Sequence, residues 1–561
     1  MGVRARILVL LMLAGACTCN PTPAHGIHFA CSTAADCADG NDCIGGECQP
    51  AGSATGGGDA TGGGAATGGG GSAIGGGGDA TGGGGGGGGG MMDGGGGTGH
   101  QPATTLTLSV SSPAAAGHCV AVQFGLLDAT GTSTLADAAV TVTLDVSSSM
   151  LNVFSDSQCT ASAQQVTFVP GDSVAELFVQ TPTGIDYQLS ASAMGLADAG
   201  ATLSVTPVVR TLRCAFADND LDVDCPVDPP VRALSDSFLV MQAFPVINIT
   251  GETEARCDLV QVDDVKCSRG VSGDPLVVLL QVAELDQVLV QRVQSQCDGG
   301  VLQALATSVD PAATLFFSSQ SNGGSVVDTN DFGTSDLDGG GASVSYDFGG
   351  GCPGNAPLIE NTQVVTFGAN AGVTMSHSVV TLAANDDALT RPLLADAGLL
   401  MWRERMRSGN PGVCDRAVRG AIDAANAQLV FSRGNGAAMD DAGCYDVAIN
   451  LHYDQANLGS AAQVQQLKTS FNAGDPRNGV LLAQQVDTTR TLVFSGGDSP
   501  YGQAFGETDF DTDAGVDCWP GEMVGAFVLD AGTLFTRQAI VTRGASDGGA
   551  TFSFFTVELN P

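Results

Sequence analysis

Cys119-Val-Ala-Val-Gln-Phe-Gly-Leu-Leu127 and Val140-Thr-Val-Thr-Leu-Asp-Val146 alternate apolar and polar residues with a period of two. In a β-strand successive side chains point to opposite faces, so this alternation describes strands with one face in a core and one in water. Similar runs follow on both sides: Leu106–Val110, Leu151–Phe154, Val166–Val169 with Val174–Val179, Tyr187–Ala193 and Thr202–Val205. Turn signals separate them, among them Ala129-Thr-Gly131, Val169-Pro-Gly-Asp172 and Asp198-Ala-Gly200. About seven short strands in a hundred residues predict a Greek-key β-sandwich over residues 101–207. Cys119 opens the second strand and Cys159 follows the fourth, so a bridge between them is expected to add about 3 to 4 kcal/mol.

The strand count and the ending Leu196-Ala-Asp-Ala-Gly-Ala-Thr-Leu-Ser-Val205 make this stretch similar to a bacterial immunoglobulin-like domain of the kind found in surface adhesins. That resemblance covers about a hundred residues and implies a sandwich that acts as a rigid spacer. The fold alone does not assign it a ligand.

Before the sandwich lies Ala51–His100, about three-fifths glycine. Such a segment has too little side chain to offset the entropy of ordering, and reads as a disordered tether over residues 51–100. Its average span is about 40 Å and its full reach on the order of 165 Å. Ahead of it, residues 17–50 hold Cys31, Cys37, Cys43 and Cys48 among turn-forming glycines. So short a segment cannot build a core, and two disulfides are expected to hold it as a small knot similar to those in stalks of extracellular proteins.

Residues 1–16 combine Arg4 and Arg6 with the apolar run Ile7–Ala14 and small residues before Cys17. This is the pattern of an export signal peptide. Ala14-Gly-Ala-Cys17 resembles a bacterial lipoprotein box, with Ala14 where that box usually carries leucine. The resemblance implies lipidation at Cys17 and a place at the cell surface or outer membrane; plain secretion is the alternative. Seventeen cysteines, six histidines and no CxxC pair favour disulfides over thiolate metal sites.

The region after Val208 repeats. Ser237-Phe-Leu-Val-Met-Gln242, Thr314-Leu-Phe-Phe-Ser318, Gln428-Leu-Val-Phe-Ser432 and Thr491-Leu-Val-Phe-Ser495 open alike, and each precedes a second apolar run. The second and fourth also share Val327–Phe332 with Phe505–Phe510, and Gly351-Cys-Pro-Gly354 with Asp517-Cys-Trp-Pro-Gly521. The expectation is a duplicated pair of β-sandwich units, residues 208–410 and 411–561, with Leu399–Arg407 and Cys414–Ala427 as candidate helices. The fold class is therefore all-β. Cys214 with Cys225 and Cys257 with Cys267 each bracket a hairpin and are expected to bridge; Cys19, Cys297, Cys352, Cys414, Cys444 and Cys518 have no assignable partners. In rhythm only, these units resemble six-stranded lectin units of the H-type, which carries over no binding residue.

A formal charge of −38, from 21 basic and 59 acidic residues, argues against nucleic acid as a partner. Two acidic groups suggest calcium, which takes six to eight oxygen ligands. They are Asp328, Asp331, Asp336 and Asp338, and Glu507, Asp509, Asp511 and Asp513. A third, Asp218 to Asp224, suits the solvated face of a strand equally well. Asp509-Phe-Asp-Thr-Asp-Ala-Gly515 approaches a calcium loop, although its glycine is one place late. HExxH and GxxxxGK[ST] are absent, and His377 and His452 stand isolated in the sequence. The sequence thus reads as a non-catalytic surface binding or adhesion protein, its partner a glycan or another surface protein. The alternatives are a structural envelope component and a secreted hydrolase. Only two tryptophans, Trp402 and Trp519, argue against an aromatic-rich glycan groove.

Overall fold

The computed structural model describes residues 41–44 and 47–50 and, from 101 to 560, all but residues 246–253, 271, 273–274, 298–301, 322–333, 348–357, 384–387, 407–417, 434–447, 473–474, 476, 500–501, 506, 510–524, 531–533 and 544–548. The chain forms two compact units, 1–95 and 96–561. In the first, Asn41–Ile44 pairs antiparallel with Glu47–Pro50, which sets Cys43 opposite Cys48. Cys17, Cys31 and Cys37 lie outside the described residues, as does the glycine-rich stretch.

The second unit is all-β, with no α-helix among the described residues. Its first part is a two-sheet sandwich. One sheet runs Ala103–Val110, Val120–Asp128, Val174–Gln180, Asn152–Phe154; the other runs Ala114–Ala115, Ala199–Thr206, Asp186–Ala193, Val140–Val146, Gln165–Phe168. The alternation that predicted these strands is their burial: Val122, Phe124 and Leu126 are buried on one face while Gln123 is exposed. Cys119 is bridged to Cys159 across 40 residues.

Residues 209–559 build four units with one topology. The first consists of Val209–Phe216, Asp222–Pro226, Ser237–Pro245, Arg256–Gln261, Asp264–Ser268 and Leu276–Glu284. Its first, sixth and third strands form a large sheet in that order, and its second, fifth and fourth a small one. The second unit repeats this with Val288–Gln296, Leu302–Ala304, Thr314–Ser321, Thr334–Leu337, Ser343–Asp347 and Ile359–Phe367. The third repeats it with Thr374–Leu382, Ala388–Pro392, Leu399–Met406, Val418–Asp423, Gln428–Arg433 and Ile449–Asn457. In the fourth the six are Ala462–Phe471, Arg477–Asp487, Thr491–Ser495, Gly525–Leu529, Phe535–Arg543 and Gly549–Leu559, with short strands inserted after the third.

Three of the four sequence openings are thus third strands, whereas Gln428–Ser432 belongs to the fifth strand of its unit. The equivalent third strand is Gly398-Leu-Leu-Met-Trp402, masked in sequence because Trp402 replaces the shared Phe-Ser ending. Trp402 is 1% exposed and donates Nε1–H to Val418 O at 2.9 Å. It fits because Gly420 and Gly496 face it: a Cβ on Gly496 would lie 2.5 Å from the indole and 2.1 Å from Leu400 O. The two candidate helices are strands over Leu399–Met406 and Val418–Asp423; their short apolar alternation pairs with neighbouring strands rather than winding a helix. The expected divide at residue 410 falls between these two strands of the third unit.

Each large sheet is covered on both faces. In the first unit one face packs on its own small sheet through Leu239, Met241, Leu259, Val265, Leu280 and Val282. The opposite face joins the central core, where Phe238 stacks on Phe317 at 5.2 Å and Phe317 meets Phe494 edge-on at 5.9 Å. Every residue of Leu276–Glu284 is consequently buried. Gly497–Ser499 and Gly502–Phe505 pair with the third strands of the third and first units, tying their large sheets into one of eight strands.

Glutamine amides bridge three of the seams between units. Gln363 of the second unit accepts from Leu239 N and donates to Leu239 O, both at 2.8 Å, so its amide stands in for a further strand along the edge of the first unit. Gln281 of the first unit accepts from Val493 N of the fourth at 2.8 Å. Gln466 of the fourth accepts from Ile422 N of the third at 2.8 Å. The third unit faces the second through charged groups, which closes the cycle of contacts. An uncovered edge invites foreign strands, and a primary amide satisfies both backbone groups at once.

Candidate functional site

The strand pairing gathers charged side chains on the face that the third unit turns toward the second. His377 lies opposite Asp454, and His452 opposite Arg403, across antiparallel strands. His377 donates Nδ1–H to Asp454 Oδ1 and Nε2–H to the carbonyl of Pro311, both at 2.7 Å. Arg403 Nη2 lies 3.1 Å from Asp454 Oδ2, and its guanidinium sits 5.0 Å over the ring of Phe316 in the second unit. His452 Nδ1 approaches Asp336 Oδ2 at 3.4 Å. Asp454 is 1% exposed and Arg403 4%.

Both ring nitrogens of His377 point at acceptors, and only an imidazolium can donate at both. Burial works against that charge, but the Asp454 carboxylate and the Pro311 carbonyl outweigh it and raise the His377 pKa. His377 therefore offers no lone pair for general-base work; it is held as a cation between two units. Burial also acts against the Asp336 carboxylate, yet His452, Arg403 and His377 bring its pKa below the usual range. The histidines that stand isolated in sequence are thus each paired with an aspartate: His377 through the register of strands 77 residues apart, and His452 across the seam to Asp336, 116 residues away.

The acidic residues considered for calcium have separate fates. Asp336 faces His452, while Asp338 caps its own turn by accepting from Ala342 N at 2.8 Å and Ser343 Oγ at 2.9 Å. Asp328, Asp331, Asp511 and Asp513 lie outside the described residues, and Glu507 and Asp509 are described only as part of a strand. Among the described residues no group of three or more metal-ligating side chains converges. In the third acidic run Asp220 accepts from Ala217 N at 2.9 Å and Asp222 from Ser268 Oγ at 2.5 Å. The expected bridges Cys214–Cys225 and Cys257–Cys267 are formed; the second closes a hairpin, whereas the first joins the large sheet to the small sheet of its unit rather than closing a hairpin. Cys297 is disulfide-bonded as well.

A second feature lies where the sandwich meets the first two units. Asp286, Gln287, Val288, Leu289, Thr366 and Asn370 line an open groove of about 360 Å³. Beside it His118 of the sandwich lies 2.5 Å from Asp286, and Arg232 bonds to Asp286, His118 and the buried Glu284. On another side Thr183 of the sandwich donates to Asp487 at 2.8 Å, and Gly184 N to Thr489 Oγ1 at 3.1 Å. The sandwich is fastened to the repeats by buried polar contacts, and no sequence motif marked them.

No protein-family model matches the chain, and no characterised protein was found similar to it in sequence.

Proposed function

We propose that the chain is an exported, non-catalytic binding protein of the bacterial cell surface, anchored through lipidated Cys17 and displayed on its glycine tether. The immunoglobulin-like sandwich and the four repeats form the head that contacts a glycan or a surface protein. What supports this most directly is the groove of about 360 Å³ between Asp286 and Asn370. Its lining includes the amides of Gln287 and Asn370 and the exposed Leu289, beside an Asp286 carboxylate that is already paired with Arg232 and His118, a mixture suited to a ligand carrying both hydroxyl groups and apolar faces. Disulfides fit an oxidising compartment. The six-stranded, two-sheet build of each repeat agrees with the rhythm that resembles H-type lectin units.

The test is a glycan array probed with the full mature chain, in calcium and in EDTA, beside the groove-filling variant Asn370→Trp. Binding by the native chain that Asn370→Trp abolishes supports the groove as the site; binding lost in EDTA adds calcium as a cofactor. A blank array from folded protein removes the glycan, and unaltered binding by the variant removes the groove.

A further inference from the structure

We infer that the seam between the second and third units is a pH-sensitive joint, held closed while His377 carries its proton and loosened when the proton leaves. Strand register aligns four residues of the first strands: Thr211, Arg292, His377 and Gln466, opposite Gln281, Gln363, Asp454 and Phe555 of the sixth strands. At the preceding seam Arg292 donates to the carbonyls of Leu234 at 2.8 Å and Ser237 at 2.6 Å, in and just after the short 3-10 turn that leads into the neighbour's third strand. His377 does the same to Pro311 O, in the 3-10 turn that leads into Thr314–Ser321.

The two seams therefore share one design: a cation reaches from the first strand of one unit to the turn of the unit before it. Arg292 keeps its charge at every accessible pH, whereas an imidazole does not. Once neutral, His377 retains one N–H for two acceptors, and either Asp454 or Pro311 O is left facing a ring lone pair. The other groups around it do not take over. Arg403 already lies against Asp454 and over Phe316, His452 faces Asp336, and the Asp310 carboxylate is turned to Ala312 N.

Because the folded-state pKa of His377 lies above its ordinary value, the contribution is complete below about pH 6.5 and is lost as pH rises through the folded pKa. Hydrogen exchange of the full chain between pH 5 and 9, corrected for intrinsic rate, reads this directly. Opening of Thr314–Ser321 and Thr374–Leu382 is expected to stay level below about pH 6.5, to rise by up to about tenfold per pH unit from there to the folded pKa, and to level off above it, with Ser237–Pro245 unchanged. His377→Arg is expected to remove the dependence, His377→Gln to hold the seam at its high-pH level throughout, and His452→Gln to leave the slope in place. A slope that persists in His377→Arg, or that disappears with His452→Gln, overturns the inference. So does a His377 pKa at or below 6.5 in the native chain by histidine-selective NMR, a measurement that does not depend on any variant folding.

Discussion

Replacing Gln363 by leucine tests whether side-chain amides seal the ring. Gln363 is 6% exposed, and its amide satisfies both Leu239 N and Leu239 O at 2.8 Å. Leucine approximates its volume without a polar atom, so a donor and an acceptor on the buried edge of Ser237–Pro245 lose their partners. Each such group costs about 1 to 3 kcal/mol, which gives about 2 to 6 kcal/mol for the pair. At about 1.4 kcal/mol per factor of ten, the lower bound already corresponds to a roughly 30-fold increase in opening.

Amide exchange at Leu239 is the appropriate assay, because a chain of several cooperative units need not unfold in one step and a bulk midpoint would blur the seam. Leu239 N–H is bonded by the very oxygen removed, so its exchange should rise by that factor or more. Gln294→Leu is the control: Gln294 is exposed and its amide bonds only the half-buried Asn361, and the change should stay within about 0.5 kcal/mol. An increase below about threefold at Leu239 in Gln363→Leu would show that the sheet edge is sealed by packing and that the amide is incidental.

Asp487→Ala should release the sandwich from the repeats, because Asp487 accepts from Thr183, from Thr489 N and from Thr489 Oγ1 and is buried beside Arg490. A loss of about 3 to 5 kcal/mol is expected, read as a separate early unfolding transition for residues 101–207; a single unchanged transition would refute it. Cys17→Ser should abolish incorporation of labelled fatty acid and move the protein from the membrane fraction to the medium. Unaltered fractionation would remove the lipid anchor.

The sandwich was legible because each of its strands has one wet face, which writes burial into the sequence as alternation. Tyr187, Leu189 and Ala191 are buried while Gln188 and Ser190 are exposed, and the predicted strand is the observed one to within a residue. The repeats were harder to read for the opposite reason. With both faces covered, Leu276–Glu284 carries no alternation, and the third unit hides its register behind Trp402. The charged seam could not be read at all, since it depends on pairing Thr374–Leu382 with Ile449–Asn457. One signal was present and unused: Gln281, alone among Leu276-Val-Val-Leu-Leu-Gln-Val-Ala283, is an amide in a run otherwise apolar. Burial of such a group is costly unless both its functions are met.

That glutamine points to how four similar units stay in order. The units share one strand plan, but the contacts between them differ: Gln363 and Gln281 reach from sixth strands to Leu239 and Val493 of third strands, Gln466 reaches from a first strand to Ile422 of a fourth, and the His377, Asp454 and Arg403 group meets the second unit. Four identical seams would let a unit pack equally well on the wrong neighbour or on another copy of the chain. Making one seam ionic and the others amide-based penalises exchange, because Asp454 set against Leu239 would place a carboxylate beside a carbonyl oxygen. The same difference that orders the ring also makes its one ionic seam the only one of these four contacts that pH can reach through a histidine. Rigidity and response are therefore divided by side-chain chemistry on a common backbone plan.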